Sequence, residues 1–149
     1  MDDIPLEFWQ GVEQFNQGQF YACHDTLEAI WIEAPQSKKN FYQGILQIAV
    51  ALYHLSNRNW RGCVILMGEG MNRLRSYEPG YADLDLENFL WQTSQLHQHL
   101  QQMGPDQPDQ MNDVIRQLGL GNSGTHTPLP PSETLPTLQL PILQRFKPT

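Results

Sequence analysis

The chain has 149 residues, 40% of them hydrophobic, enough for one domain to close a core without disulfide or metal staples. A formal net charge of −7 and a pI near 5.0 repel a nucleic-acid backbone, which excludes DNA and RNA as expected partners. Cys23 and Cys63 are too few for a disulfide scaffold and match no zinc-ribbon or CxxC spacing, and the acidic opening Asp2-Asp3 is unlike a secretory leader, so the expected compartment is the reducing cytoplasm.

Asp3 is placed to cap a first helix with Pro5 in its first turn, and Phe8, Val12 and Phe15 recur at helical spacing until Asn16 and Gly18 stop it. A second helix carries the stripe Phe20, Cys23, Leu27 and Trp31 and ends at Ala34-Pro35, because the residue before a proline is pushed out of helical geometry. Ser37 is the expected cap of a third helix, whose positions Phe41, Gly44, Ile45, Ile48, Ala51, Leu52 and Leu55 follow the helical period. The uncharged stretch between Lys39 and Arg58 is broken by Gln43, Gln47, His54 and Asn57, so it reads as a buried central helix and not a membrane span. Asn59 is placed to cap a fourth helix bearing Trp60, Cys63, Val64, Met67, Met71 and Leu74, closed by Glu78-Pro79-Gly80. A fifth runs from about Asp85 to Met103 and buries Leu86, Phe89, Leu90, Thr93, Leu96 and Leu100.

Beyond Met103 proline becomes frequent, and Gly and Ser cluster near 119–124, so residues 104–149 are expected as a Pro- and Gly-rich tail behind a helical domain of residues 1–103. Two pieces of the tail differ from the rest. Residues 111–118 form a short amphipathic stretch, and Leu135, Leu138, Leu140, Ile142 and Leu143 make an apolar run that Pro136 and Pro141 bar from helix. Such a run is expected to dock in extended form, and the flexible stretch before it favours the groove of a partner over the chain's own bundle.

The two helical hairpins align with each other at the forty-residue offset between Cys23 and Cys63. Phe8 falls on Ile48, Val12 on Leu52, Phe15 on Leu55, Phe20 on Trp60, Ala22 on Gly62 and Leu27 on Met67. Apolar matches arise between any two amphipathic hairpins, so the weight rests on the small residue and cysteine that follow an aromatic in both.

His24, Glu28 and Trp31 share one face of the second helix, and Gln43, Gln47, Val50 and His54 form a polar stripe on the third. The match of His24 to Val64 suggests that the imidazole is buried. If the stripes meet, one reading is a divalent-metal site of His24, Glu28 and His54 with a glutamine behind it. The other is a buried hydrogen-bond network with no metal. An acid–base pair of His24 and Glu28 lacks an accompanying nucleophile, since Cys23 and Cys63 sit on apolar stripes and read as inert core thiols. His97, His99 and His126 are expected in solvent, as are Arg58, Arg61, Arg73 and Arg75, with Glu69 pairing Arg73. Gly62, Gly68 and Gly70 lie within a helical period and suit close packing rather than a phosphate loop.

The run Phe15-Asn16-Gln17-Gly18-Gln19-Phe20-Tyr21 with Cys23-His24-Asp25, Leu27-Glu28 and Trp31 resembles the signature of the family catalogued as domain of unknown function 309. A second block agrees: Phe41-Tyr42-Gln43-Gly44-Ile45-Leu46-Gln47-Ile48-Ala49-Val50-Ala51, then Tyr53-His54 and Asn59-Trp60-Arg61-Gly62. The resemblance spans about residues 6–77 and implies a compact multi-helical fold with a signature on His24, Glu28, Trp31, Gln43, Gly44, Gln47 and His54. It implies no activity. Cys63 departs from the alanine more usual there, and the tail looks like an extension of a cyanobacterial or plastid branch.

The expected architecture is all-α, a compact bundle of about five helices built from antiparallel hairpins, with an extended Pro-rich C-terminal tail. The expected function is non-catalytic protein interaction or assembly support, with another protein as partner and no cofactor. The alternative is a small metal-dependent enzyme or metal-binding protein.

Overall fold

The computed structural model describes residues 4–120 and 138–146. Asp3, His126 and Leu135 lie outside the described residues. Six α-helices make up the body: α1 (Leu6–Asn16), α2 (Phe20–Glu33), α3 (Gln36–Ser56), α4 (Trp60–Leu74), α5 (Leu86–Met103) and α6 (Pro108–Gln117). A 3-10 turn over Arg75–Tyr77 leads into a minimal antiparallel hairpin, β1 (Gly80–Tyr81) and β2 (Leu84–Asp85), paired Gly80 to Asp85 and Tyr81 to Leu84. Its turn residues Ala82 and Asp83 both have positive φ, the backbone that a two-residue hairpin turn needs to match strand twist.

Local chemistry sets most of the boundaries. Ala34 is extended with ψ 147°, as the clash with Pro35 requires, and α2 stops there. The start of α3 differs from expectation: Pro35 holds the cap position and Ser37 lies inside the first turn. Asn59 and Asp85 do cap α4 and α5, accepting from Gly62 N at 2.9 Å and Asn88 N at 3.0 Å. Each bond satisfies one of the amides that a helix N-terminus leaves without an intrahelical partner.

The forty-residue repeat extends to the backbone. α1 ends at Asn16 and α2 begins at Phe20, while α3 ends at Ser56 and α4 begins at Trp60. In the first turn Gly18 has φ 80°, and at the matching place in the second Arg58 has φ 64°. The turn bonds correspond as well: Gln19 N to Gln14 O at 2.9 Å matches Asn59 N to His54 O at 2.8 Å, and Gly18 N to Phe15 O matches Arg58 N to Leu55 O, both 3.0 Å. Phe8, Val12, Phe15, Cys23 and Leu27 are buried, and so are their counterparts Ile48, Leu52, Leu55, Cys63 and Met67. One left-handed residue per turn reverses the chain so that each hairpin buries its apolar stripe.

α3 is the central helix, packed between α2 and α4. Where α3 meets α4 no side chain separates the backbones. A Cβ on Gly70 would lie 2.7 Å from Gly44 O, and one on Gly44 3.0 Å from Gly70 O. α5 is tied to α4 by Trp60 Nε1 donating to Leu100 O at 2.8 Å and His97 Nε2 to Val64 O at 3.0 Å. His97 is therefore half-buried, against the expectation of a solvent position, while His99 is exposed.

The core continues past residue 103. Met111, Val114, Ile115 and Leu118 are buried in the same apolar cluster as α1–α5, and Leu143 joins them at 3% exposure. Leu138 and Leu140 pack against that cluster half-buried, and Ile142 is exposed. The expectation that the apolar arm is left for a partner's groove is thereby corrected for residues 138–146, which lie on the chain's own body. The reason is chemical: the body supplies polar side chains to an extended backbone, a property with no periodic signature in sequence.

Candidate functional site: the outer face of the α2–α3 hairpin

α2 and α3 run antiparallel and are pinned to each other at both ends. At one end the rings of Tyr21 and Tyr53 lie 5.3 Å apart, centroid to centroid. At the other, Lys39 Nζ donates to Trp31 O at 2.7 Å and Ile32 O at 3.3 Å, and sits 4.7 Å from the Trp31 ring centroid. Those carbonyls close α2, where Trp31 O also accepts from Ala34 N at 3.2 Å, so the ammonium sits at the negative end of the helix dipole. The indole Nε1 of Trp31 is buried and has no acceptor among the described residues.

Between the pins the expected polar cluster divides into three places. His24 pairs on its own helix, with Nε2 3.0 Å from Glu28 Oε2 and Nδ1 3.2 Å from Asp25 Oδ1, and its side chain is 26% exposed. Its expected burial was read from its match to Val64, which is itself only half-buried. Gln47 faces the other way. It is 9% exposed, donates through Nε2 to Glu69 Oε2 at 3.2 Å and accepts at Oε1 from Arg73 Nε at 3.0 Å. Arg73 also donates to Asn40 Oδ1 at 2.6 Å, so the carboxamide lies between the Glu69 and Arg73 side chains expected to pair.

His54 belongs to the α3–α4 turn. Its Nδ1 is 3.4 Å from Asn59 Nδ2, and its ring edge lies where a Cβ on Gly62 would come within 3.1 Å of it. Because an amide NH2 only donates, that contact places the imidazole lone pair on Nδ1. Gln43 is half-buried on α3, one turn before Gln47. A meeting of the two polar stripes, joining His24 and Glu28 to Gln43, Gln47 and His54, is thus not formed. Nor is the His24, Glu28 and His54 ligand set: no group of three or more His, Cys, Asp or Glu side chains among the described residues is placed to hold a metal ion.

Burial pushes the thiols of Cys23 and Cys63 up to about 12, which keeps both protonated and unreactive at neutral pH. Two open depressions, of about 590 and 720 Å³, lie between α1, α2 and the start of α3, and between α5, α6 and Leu138. None of His24, Glu28, Trp31, Gln43, Gln47 and His54 lines either one.

What the hairpin presents outward is a surface. Along α2 the residues Tyr21, Asp25, Glu28 and Ile32 are all exposed at helical spacing, with two carboxylates between two apolar ends. Tyr53 stands beside Tyr21, with Val50 and Leu46 half-buried below it on α3. Sequence reasoning missed the tyrosines, although both stand in the quoted family blocks, three residues before His24 and one before His54.

Fold and surface together define a mostly helical protein of two repeated hairpins, with His24, Glu28 and two tyrosines on the outer face of α2–α3. The sequence model of a family described as "Domain of unknown function (DUF309)" matches residues 8–66, and the match ends within α4. The chain is also similar to "Uncharacterized protein YpuF" of Bacillus subtilis (strain 168), 36% identical over 70 residues, which cover 46% of this chain and 40% of that protein. The chain thus spans about two fifths of the length of the curated relative it matches. No solved structure matches it. Among the described residues no helix is long and apolar enough to cross a membrane.

Proposed function

We propose that the chain is a non-catalytic interaction or assembly-support protein of the cytoplasm, and that the outer face of α2–α3 is taken by another protein. The observation that carries this reading is the Tyr21–Tyr53 pair, 59% and 38% exposed on adjoining helices with rings in contact. Aromatic rings held by their neighbours give contact area at little entropic cost and are favoured in interface centres. Asp25 and Glu28 beside them, within a chain of charge −7, favour a partner helix with basic residues between apolar ones and disfavour nucleic acid. The tail's resemblance to a cyanobacterial or plastid branch belongs to the same reading.

A photo-crosslinking residue at position 53 tests it, with position 101 on the exposed side of α5 as control. A discrete heavier adduct at 53, absent at 101 and lost when Tyr21→Ser is added, is the expected result. No adduct at 53, or equal labelling at both positions, overturns it.

A further inference from the structure

The docked arm, residues 138–146, is recognised through its main chain. Gln117 Oε1 accepts from Leu138 N at 3.2 Å, and Gln92 Oε1 accepts from Ile142 N at 2.9 Å. Asn16 takes both polar groups of Leu143, accepting from its N–H and donating to its C=O, each at 2.8 Å. The body's own backbone supplies the rest: Asp85 N donates to Gln144 O at 2.8 Å, Phe146 N donates to Asp83 O at 2.9 Å, and Leu84 bridges Arg145 in antiparallel register. Three carboxamides from three different helices therefore make most of these bonds.

The side chains follow the same logic. Leu143 enters the core and Pro141 is buried, whereas Gln139, Ile142 and Gln144 face solvent. The Arg145 guanidinium lies 3.7 Å from the centroid of the Trp9 ring, and the Phe146 ring occupies the space that any Cβ on Gly80 would fill. Backbone bonds for affinity with pockets for selected side chains is how an extended peptide is read by a receptor. The walls come from α1, α5, α6 and the β-hairpin, which are formed by residues 6–117, and the arm reaches them across an intervening stretch from residue 121 to 137.

We propose that this seat is a peptide-recognition groove, that it selects an extended peptide of the pattern Leu-Pro-x-Leu-x-Arg, and that the chain's own Leu140–Arg145 is the ligand now in place. The groove is distinct from the α2–α3 face and stands independently of the function proposed for it. A peptide supplied in trans competes with an arm whose tether gives it an effective concentration on the order of millimolar.

The test keeps the full chain and inserts a protease site within residues 121–137, so that cleavage turns the arm into a separate ligand. A labelled peptide of residues 137–147 should replace the cleaved arm, saturating at one per chain. It should bind the intact protein at least about 100-fold more weakly, because there it competes with a tethered arm. The same peptide with Leu143→Asp or Arg145→Ala should lose affinity, with Ile142→Lys should not, and Asn16→Ala in the body should weaken uptake with the helical circular dichroism unchanged. Unfolding on cleavage, failure to exchange, or equal binding of a scrambled peptide each overturn the proposal.

Discussion

Gly44 and Gly70 face each other across α3 and α4 with each residue's carbonyl oxygen against the other's Cα, which brings two helix backbones into direct contact. The obstacle to a side chain at Gly70 is backbone, which cannot swing away. Gly70→Ala should therefore lose stability by about 1–3 kcal/mol from overpacking, more than the roughly 0.5–1 kcal/mol that alanine gains in helix propensity. At Gly68, on the same helix, a new Cβ meets only the His97 ring, with Nε2 at 3.4 Å and Cε1 at 3.6 Å, so Gly68→Ala should stabilise by up to about 1 kcal/mol. Urea denaturation of both variants checks the pair of opposite signs.

The repeated turns make a second opposed pair. Arg58 holds a left-handed backbone that costs a side-chain-bearing residue about 1–2 kcal/mol, and its counterpart Gly18 holds the same conformation without that cost. Arg58→Gly should raise the thermal midpoint and Gly18→Ala should lower it. Equal destabilisation by both would mean that Arg58 contributes contacts outweighing its strain.

His24 and Gln47 should separate sharply in stability measurements. His24 with Glu28 is a partly exposed pair at i, i+4 spacing, so His24→Ala should change the unfolding free energy by less than about 0.5 kcal/mol. Gln47→Ala leaves Arg73 and Glu69 without their shared carboxamide beside the core and should cost about 1–2 kcal/mol. Chemical denaturation of the two single variants measures the difference.

Cys23 and Cys63 give a signature in pH. Their folded thiols are raised from 9.0 to about 12 by desolvation, so the unfolded chain ionises first. The stability they contribute is complete below pH 9 and is lost as pH rises towards 12. A thiol reagent at pH 8 should label neither in the folded protein and both in denaturant. The double variant Cys23→Ala, Cys63→Ala should show a shallower alkaline loss than the parent chain.

Leu143→Ala should cost about 2–5 kcal/mol, a buried leucine's worth, and Ile142→Ala much less. Comparable small effects at both positions would place the arm outside the cooperative unit.

The helices were legible because burial repeats with the helical period: Phe41, Ile45, Ile48, Leu52 and Leu55 announce α3 without any knowledge of its neighbours. The repeat was legible at the residue level but not in its left-handed turn, since Gly18 advertises that conformation and Arg58 conceals it. The polar cluster misled because sharing a helix face fixes direction and not partner. Gln47 lies on the stripe drawn through His54 yet reaches across to α4, and His24 finds acceptors one and four residues along its own helix. The arm's seat was invisible for another reason. Asn16, Gln92 and Gln117 are ordinary surface amides in sequence, and nothing in their spacing links them to residues 138–146.

Asn16 and Leu143 are separated by 127 positions, so their two hydrogen bonds join an early part of the chain to one made much later. During synthesis the residues of α1, α5 and α6 are all joined before those of the arm. The 26 residues from 120 to 146 take roughly 1–5 s to add at about 5–20 residues per second. For that interval each nascent molecule carries Gln92, Gln117, Asn16 and the Trp9 ring with their ligand still unmade.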